Sequence, residues 1–268
     1  MNKNKPVVLA CIQARMGSSR LPAKVLREVL GKSLLEHIYN RVSKAQTVDH
    51  TVIITSTKPE NDIIVDMCKS NHMLYFRGSE NDLLDRHYQA ALKYNADFIA
   101  KIPSDCPLAD PEIIDSVLGL WIDNPERFDY VSNYHPPTFP DGLDVEGAPF
   151  PILEMAWKES QKVFEREHTF PYIWDNTERF RIGNIENRYG NMFMTHRWTL
   201  DYEEDYQFIK TVFEELGDNP GFSIKNVLDL LKRKPQIGDI NRKYAGINWY
   251  RKHEGELKTV TKDQFRKE

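Results

Sequence analysis

Val7-Val8-Leu9-Ala10-Cys11-Ile12 leads directly into Gln13-Ala14-Arg15-Met16-Gly17-Ser18-Ser19-Arg20-Leu21-Pro22-Ala23-Lys24. The apolar run predicts a buried first strand, and the loop after it combines glycine and serines with two arginines and a lysine. Glycine lets the backbone approach a ligand, free N–H groups point at oxygens, and cations neutralise negative charge. A surface loop with solvated cations is the alternative, but the position directly after a buried strand favours a phosphate-binding loop. Neither the P-loop spacing nor G-x-G-x-x-G is present.

The chain after this loop alternates helical and extended patterns. Helices are predicted over residues 33–45, 59–67, 83–92 and 111–121, and strands over residues 51–55, 73–76 and 97–102. This order is typical of an α/β protein with a mainly parallel sheet and helices on both faces. Ligands of such sheets bind at the carboxyl ends of the strands, which is where the loop lies.

The second half of the chain is less regular. Strands are predicted over residues 130–133, 179–185 and 192–200, and helices over residues 151–160, 164–175, 203–216 and 223–233. We predict one domain over residues 1–240. A C-terminal appendage is predicted over residues 241–268, where the sequence is polar and weakly patterned.

Composition and charge exclude several classes of protein. The formal net charge of −4 gives the chain no overall basic field for nucleic acid. The three cysteines cannot pair without a remainder, and none has C-x-x-C spacing. No stretch approaches the ~18–20 apolar residues of a membrane-spanning helix, and the N-terminus does not resemble a signal peptide. We therefore expect a cytoplasmic protein with neither a membrane nor a nucleic-acid partner.

Two acidic residues follow apolar runs. Asp105 lies in Ile102-Pro103-Ser104-Asp105-Cys106-Pro107-Leu108, and Asp201 ends Arg197-Trp198-Thr199-Leu200-Asp201. A carboxylate at the position of Asp105 suits Mg²⁺, which binds one or two carboxylates together with substrate phosphates. Asp105 can instead cap the following turn, and Asp201 can be the N-cap of the helix that begins near residue 203. The sequence leaves these alternatives open.

A second group of motifs offers polar groups for a further ligand. Alternation in Gly142-Leu143-Asp144-Val145-Glu146 places Asp144 and Glu146 on one face of an extended segment. Arg166-Glu167-His168 offers two groups that can hold an anion. A surface ion-pair network explains these residues equally well.

A third group follows the second and third predicted strands. Gly78, in Arg77-Gly78-Ser79, permits a flat base to approach the backbone closely. Thr55 and Ser56 offer hydroxyl groups nearby. Each of these indications is weak, but their shared position after successive strands strengthens them.

Taken in order, these motifs resemble the cytidylyltransferase family that activates acidic sugars with CTP, which includes the CMP-Kdo and CMP-sialic acid synthetases. The resemblance is strongest to its SpsF-like branch and covers about residues 7–205. It implies a nucleotide-diphospho-sugar-transferase-like, Rossmann-like three-layer sandwich, use of Mg²⁺, release of pyrophosphate and a homodimer. Residues 130–200 would then contain the dimerisation and acceptor subregion.

The resemblance also implies roles for individual residues. Arg15 and Lys24 are expected to be catalytic, and Asp105 and Asp201 to bind the metal. The predicted nucleotide-binding residues are Ala14, Arg15, Gly17, Ser18, Ser19, Arg20, Lys24, Thr55, Ser56, Arg77, Gly78 and Ser104. The predicted acceptor-binding residues are Asp144, Glu146, Arg166, His168 and Arg197. Ala23 departs from the family pattern, which has glycine before the lysine.

The expected reaction is in-line attack of an acceptor oxygen on the α-phosphate of CTP. A hydroxyl acceptor calls for a general base, for which His168 and Asp144 are the candidates, whereas a phosphate or phosphonate anion does not. The predicted acceptor is an acidic sugar or a related small acid. Transfer to a phosphonate, polyol phosphate or sugar phosphate remains open, as do a sugar-nucleotide-dependent glycosyltransferase and a non-catalytic nucleotide-binding module.

Overall fold

The computed structural model describes residues 5–18, 20–217 and 219–267, so the predicted site residue Ser19 lies outside the described residues. The strands in this part of the chain are β1 (Val8–Gln13), β2 (Glu28–Val29), β3 (Lys32–Ser33), β4 (His50–Ser56), β5 (Leu74–Gly78), β6 (Phe98–Pro103), β7 (Tyr130–Ser132), β8 (Glu146–Pro149) and β9 (Ile182–Asn184). Seven of these described strands form one sheet in the order β5-β4-β1-β6-β8-β7-β9. Its neighbours pair in parallel except for β8, which is antiparallel to β6 and β7.

Helices cover both faces of this sheet. They are α1 (Leu34–Val42), α2 (Asp62–Ser70), α3 (Leu83–Lys93), α4 (Pro111–Ile122), α5 (Phe150–Glu159), α6 (Val163–His168), α7 (Pro171–Trp174), α8 (Glu203–Leu216), α9 (Ile224–Arg233) and α10 (Pro235–Asp239). Side chains of β1 alternate between two cores, because successive residues of a strand point to opposite faces. Ile12 packs in the core with α1, α4 and α8, and Cys11 packs in the core with α3 and α5. The prediction of an α/β sandwich with a mainly parallel sheet is confirmed.

The ends of β1 and β6 bring the two main motifs together. Gln13, the last residue of β1, pairs with Ile54 on one side and Pro103 on the other. The phosphate-binding loop follows β1, and Asp105 follows β6, so both emerge at the same edge of the sheet. Asp110 caps α4 and also accepts a hydrogen bond from the backbone N–H of Ile224, which ties α9 to this edge.

The predicted single helix over residues 164–175 is two short helices. Thr169 ends α6 with a positive φ of 75°, and Pro171 begins α7. A positive φ breaks the right-handed helix, and proline at position 171 has no N–H to continue the hydrogen-bond pattern of α6. The prediction of one continuous helix is therefore wrong.

The prediction of a strand over residues 192–200 is also wrong. Within the described chain, this segment forms an isolated bridge between Arg197 and Asp141, and its first residues form a turn closed by a hydrogen bond from Thr195 N–H to the Met192 carbonyl. Its apolar side chains suggested a strand, but Phe193 packs in one core and Trp198 in the other.

The C-terminal residues, predicted as an appendage, pack against the rest of the chain. Tyr250 is fully buried, and Leu257 and Phe265 are nearly so. The backbone N–H of Lys258 donates to the carboxylate of Asp175, which follows α7. In the residues that the structure describes, no helix is both long and apolar enough to cross a bilayer.

Candidate active site

A cavity of about 200 Å³ lies at the carboxyl ends of β1 and β6. Six predicted site residues line it: Arg20, Asp105, Asp144, Glu146, His168 and Asp201. The other lining residues were not predicted from the sequence; they are Gln13, Lys101, Pro103, Tyr134, Asp141, Thr199, Tyr202, Ile247, Asn248, Trp249, Arg251 and Lys252. We call residues 247–252 the C-terminal wall.

Lys24 connects the two predicted metal-binding acids. Its Nζ lies 3.3 Å from Oδ2 of Asp105 and 2.9 Å from Oδ1 of Asp201, and it donates to the Leu200 carbonyl at 2.6 Å. Burial opposes the charge on Lys24, but the two carboxylates outweigh it and raise the pKa of Lys24 above its ordinary value. Burial also opposes the charge on Asp201, yet Lys24 and Arg20 lower the pKa of Asp201 to about 2. Lys24 and Asp201 are therefore both charged at neutral pH.

Two arginines contact the same carboxylate oxygen of Asp201. Arg20 Nη2 lies 2.7 Å from Oδ2 of Asp201, and Arg197 Nη2 lies 3.4 Å from the same oxygen. Arg197 does not line the cavity; it is buried and pairs with Asp205 at 2.9 Å and Asp141 at 3.4 Å. Asp205 also accepts hydrogen bonds from the backbone N–H groups of Asp201 and Tyr202. Arg197 and Asp205 thus position Asp201 rather than contact a ligand in the cavity.

The donor set at Asp105 and Asp201 fits a magnesium ion. Carboxylate oxygens from two segments of the chain converge on one ammonium group, that of Lys24. Mg²⁺ prefers such oxygen ligands and completes its shell with water and substrate phosphates. Among the described residues, no group of three or more His, Cys, Asp and Glu side chains is arranged to hold a metal. A magnesium ion held by these two carboxylates would therefore complete its coordination with water or with oxygens of a bound ligand.

Hydrogen bonds order the described part of the predicted phosphate-binding loop. Ser18 Oγ accepts from the backbone N–H of Leu21 at 3.3 Å. Ala23 has φ 54° and ψ 23°, the left-handed conformation that favours glycine, and it precedes a 3₁₀ turn over Lys24–Leu26. Although residue 23 is alanine rather than the glycine of the family pattern, its backbone thus adopts the conformation that glycine favours. Arg15 Nη1 lies 3.0 Å from a carboxylate oxygen of Glu80.

The residues predicted to surround the base form contacts with each other and with neighbouring side chains. Arg77 Nη1 pairs with Asp62 at 2.7 Å, and its Nε donates to the Ser56 carbonyl at 3.0 Å. A Cβ on Gly78 would lie 3.1 Å from the Arg86 side chain, so this position leaves little room for any residue larger than glycine. Thr55 is fully buried. These contacts order the edge formed by β4 and β5, and base binding there stays a prediction.

The remaining loop and edge residues contribute backbone and small side chains. Ala14 continues β1 by donating its N–H to the Ile54 carbonyl at 3.0 Å. A Cβ on Gly17 would lie 3.9 Å from Glu60 Oε1, an ordinary contact, so its described neighbours do not require glycine there. Ser104 is nearly buried directly after β6.

Arg166 lies outside the cavity. Its Nε and Nη2 bind Oδ2 of Asp82 at 2.8 and 2.5 Å, and its Nη1 donates to the Trp157 carbonyl. Asp82 is the N-cap of α3. Arg166 therefore links α6 to α3 and does not join the other predicted acceptor-binding residues.

His168 faces the cavity as a neutral ring. It stacks on Trp249 of the C-terminal wall, with ring centroids 4.0 Å apart. Burial, and after it the charge of Lys101, lower the pKa of His168 to about 3. Lys101 in turn donates to the His168 carbonyl at 3.1 Å.

Two acids form the cavity floor beside Lys101. Glu146 pairs with Lys101 at 2.6 Å and accepts from the Tyr130 hydroxyl at 2.6 Å. Asp144 is partly buried, and burial followed by the charges of Asp141 and Asp105 raises its pKa well above the ordinary value. Lys101 was detectable in the sequence, because a lone lysine in an apolar strand needs a partner when it is buried.

Comparison with known proteins finds a matching family model and similar curated sequences. A family model described as cytidylyltransferase matches residues 9–228. The chain is 35% identical over 234 residues to the uncharacterized protein MJ1063 of Methanocaldococcus jannaschii, covering 87% of this chain and 94% of that protein. It is 30% identical to the spore coat polysaccharide biosynthesis protein SpsF of Bacillus subtilis, covering 85% of this chain and 95% of SpsF.

Solved structures give the same result. A cytidylyltransferase from Leptospira borgpetersenii superposes with a TM-score of 0.81 at 30% identity, covering 87% of this chain and 96% of that chain. A CMP:2-keto-3-deoxy-manno-octonic acid synthetase complexed with CTP superposes with a TM-score of 0.61 at 16% identity, covering 79% of this chain and all of that one. The second similarity supports the fold alone.

Proposed function

Since the chain belongs to the cytidylyltransferase family, we propose that it transfers CMP from CTP to a small acidic acceptor and releases pyrophosphate. Membership makes it a CTP-dependent nucleotidyltransferase, and the acceptor class is the part proposed here. The similarity to SpsF supports a role in polysaccharide biosynthesis, and the similarity to 3-deoxy-manno-octulosonate cytidylyltransferases supports an acidic sugar as the acceptor. The observation that carries the proposal is the convergence of Lys24, Asp105 and Asp201 beside a polar cavity.

In the proposed reaction an acceptor oxygen attacks the α-phosphate of CTP, and the bond from the α-phosphorus to the bridging oxygen breaks. Lys24, which keeps its proton, offers positive charge to the departing pyrophosphate, and Arg15 and Arg20 emerge from the same loop. Asp105 and Asp201 would hold Mg²⁺, which when bound neutralises phosphate charge as a Lewis acid.

Proton transfer depends on what the acceptor is. His168 lines the cavity as a neutral ring, so its free ring nitrogen can accept a hydrogen bond from a hydroxyl acceptor, but the burial and the Lys101 charge that lower its pKa also make it a weak base. The raised pKa of Asp144 shifts its carboxyl toward the protonated form, in which it donates a hydrogen bond. An acceptor that attacks through a phosphate or phosphonate oxygen needs no base.

A pyrophosphate-release assay tests the proposal. ATP, CTP, GTP and UTP are each mixed with Mg²⁺ and with 3-deoxy-manno-octulosonate, N-acetylneuraminate, sugar phosphates or phosphonates. We expect release with CTP and an acidic sugar. Release with phosphorylated acceptors alone would change the acceptor class, and no release with any pair would contradict the proposed transfer.

A further inference from the structure

The C-terminal wall closes one side of the cavity but lies beyond residue 228, where the family match ends. It is held firmly in place. Arg197 donates to the Ile247 carbonyl at 2.7 Å, Asn248 Nδ2 donates to the Gln264 carbonyl at 2.8 Å, and Tyr250 is fully buried. The same arginine that positions Asp201 therefore also positions the wall.

The cations that line the cavity differ in whether they are already paired. Arg20 is paired with Asp201 at 2.7 Å, and Lys101 with Glu146 at 2.6 Å. Among the residues described, neither Arg251 nor Lys252 has a carboxylate within ion-pairing distance, and Arg251 donates to the Lys267 carbonyl. The cavity-lining cations without an acidic partner in the described structure are therefore Arg251 and Lys252 of the C-terminal wall.

The groups expected from the sequence to bind an anionic acceptor do not supply that charge. Arg166 is bound to Asp82 outside the cavity. His168 is held neutral by burial and by Lys101. An acid entering the cavity would meet Asp141, Asp144 and Glu146 on one side, so it needs cations on another.

Two orphaned polar atoms also indicate a polar ligand in this cavity. Gln13 and Tyr134 both line the cavity. The Oε1 atom of Gln13 and the hydroxyl of Tyr134 are buried and have no hydrogen-bond partner in the described structure. Buried polar groups are seldom left unpaired. A hydroxylated ligand would pair with both.

We propose that Arg251 and Lys252 recognise the anionic group of the acceptor, so that the C-terminal wall determines acceptor specificity. The inference rests on the proposed function, because it assigns the acid-binding groups of that same site. Their role is in binding: in the described structure no hydrogen bond or ion pair joins them to Lys24, Asp105 or Asp201, so their loss should affect the acceptor KM rather than kcat.

The test compares two double variants in the full chain. Arg251→Gln with Lys252→Gln removes the two cations of the wall. Lys258→Gln with Lys262→Gln removes two exposed cations from the same C-terminal region that do not line the cavity. Kinetics are measured with CTP and with whichever of 3-deoxy-manno-octulosonate and N-acetylneuraminate the wild type uses.

We expect the wall variant to raise the acceptor KM about tenfold, equivalent to about 1.4 kcal/mol, with the CTP KM and kcat nearly unchanged. The double variant Arg251→Lys with Lys252→Arg keeps both positive charges and should therefore retain most of the wild-type affinity for the acceptor. Added salt should raise the acceptor KM of the wild type and have less effect on the wall variant, because it screens this attraction.

An unchanged acceptor KM in the wall variant, or an equal rise in the control variant, would overturn this inference and leave the transferase activity standing. Wild-type turnover with a neutral acceptor only would also overturn it. Absence of turnover with any acceptor would overturn the proposed function, and this inference with it.

Discussion

Lys24 joins the loop after β1 to the acids that follow β6 and precede α8. Its charge is held by two carboxylates at 3.3 and 2.9 Å. Replacing it with alanine removes the cation from the developing charge of pyrophosphate. We expect Lys24→Ala to lower turnover with CTP and Mg²⁺ on the order of 10²–10³-fold, the effect of losing one charge-stabilising donor. Pyrophosphate release at saturating CTP measures it.

Lys69→Ala is the matched control for this change. Lys69 is an exposed lysine of α2 whose partner is the exposed Asp66. Its loss should leave turnover unchanged. Since Lys24→Ala also removes the cation that bridges Asp105 and Asp201, thermal unfolding of both variants separates a folding defect from a catalytic one. Full activity in a folded Lys24→Ala variant would remove this residue from the mechanism.

Ala23 stores backbone strain next to Lys24. An alanine in the left-handed region costs about 1 kcal/mol relative to glycine. We therefore expect Ala23→Gly to raise the free energy of unfolding by up to that amount, measured by urea denaturation. Ala90→Gly, inside α3, should lower it instead, because glycine weakens a helix interior. A destabilised Ala23→Gly variant would contradict the strain argument.

Individual residues differ in how far sequence predicts their position. Asp105 directly follows an apolar strand, so the sheet topology alone brings it to the edge where the loop emerges. Arg166 is a cation in a polar motif, and its partner Asp82 lies 84 residues earlier. Only the packing of α6 on α3 brings these two together, and no local pattern contains that information.

Gly246 fixes the course of the chain into the C-terminal wall. Its φ is +81°, and a Cβ there would lie 2.7 Å from Cε of Met194 and 3.1 Å from Cδ of Arg266. The Gly246 carbonyl also accepts the backbone N–H of Arg266 at 2.7 Å. We expect Gly246→Ala to displace the wall, raise the acceptor KM severalfold and lower the free energy of unfolding by about 1–2 kcal/mol.

Gly255→Ala provides a control for the conformational cost alone. Gly255 has nearly the same φ, +83°, but nothing lies within 4 Å of its added Cβ. We expect a comparable loss of stability and an unchanged acceptor KM. Equal effects of both substitutions on the acceptor KM would mean that Gly246 does not position the wall through its contacts.

Elements were predictable where their pattern was periodic and apolar. Strands β1, β4 and β6 and helices α1, α3 and α4 meet that condition. The chain around β8 lacks such a pattern. Its Gly147 lies against the Phe98 ring, where a Cβ would come within 2.4 Å, so this position needs glycine rather than an apolar strand residue. The C-terminal wall is polar, and its position depends on tertiary contacts such as the stack of Trp249 on His168.

Across the whole molecule, three histidines have a lowered pKa with the same two causes. For each of them desolvation is the largest cause, and the positive charge of Lys101 lowers the pKa further. The pKa of His87 and that of His168 fall to about 3, and that of His135 falls well below its ordinary value. We therefore expect neither the His87 ring nor the His168 ring to gain a proton between pH 8 and pH 5, which NMR titration of the ring protons measures.

This depression of the pKa links histidine burial to stability. A histidine whose folded pKa is lowered stabilises the fold above its unfolded pKa of about 6.5, and the contribution is lost as pH falls toward the folded value of about 3. Asp141 has a pKa raised to about 7, so its contribution to the free energy of unfolding increases as the pH falls over part of this range. The total pH dependence therefore does not isolate the histidines.

His87→Gln isolates one of them, because the carboxylates are the same in both proteins. The fully buried ring donates Nδ1–H to the Leu83 carbonyl at 2.9 Å and lies away from the cavity lining. Between pH 8 and pH 5 the wild type should lose about 2 kcal/mol more stability than the variant, since each pH unit below the unfolded pKa costs about 1.4 kcal/mol. Urea denaturation at the two pH values gives this difference directly. Parallel pH profiles would show that His87 takes up its proton at the same pH in the folded and unfolded states, and therefore that neither burial nor Lys101 lowers its pKa in the folded protein.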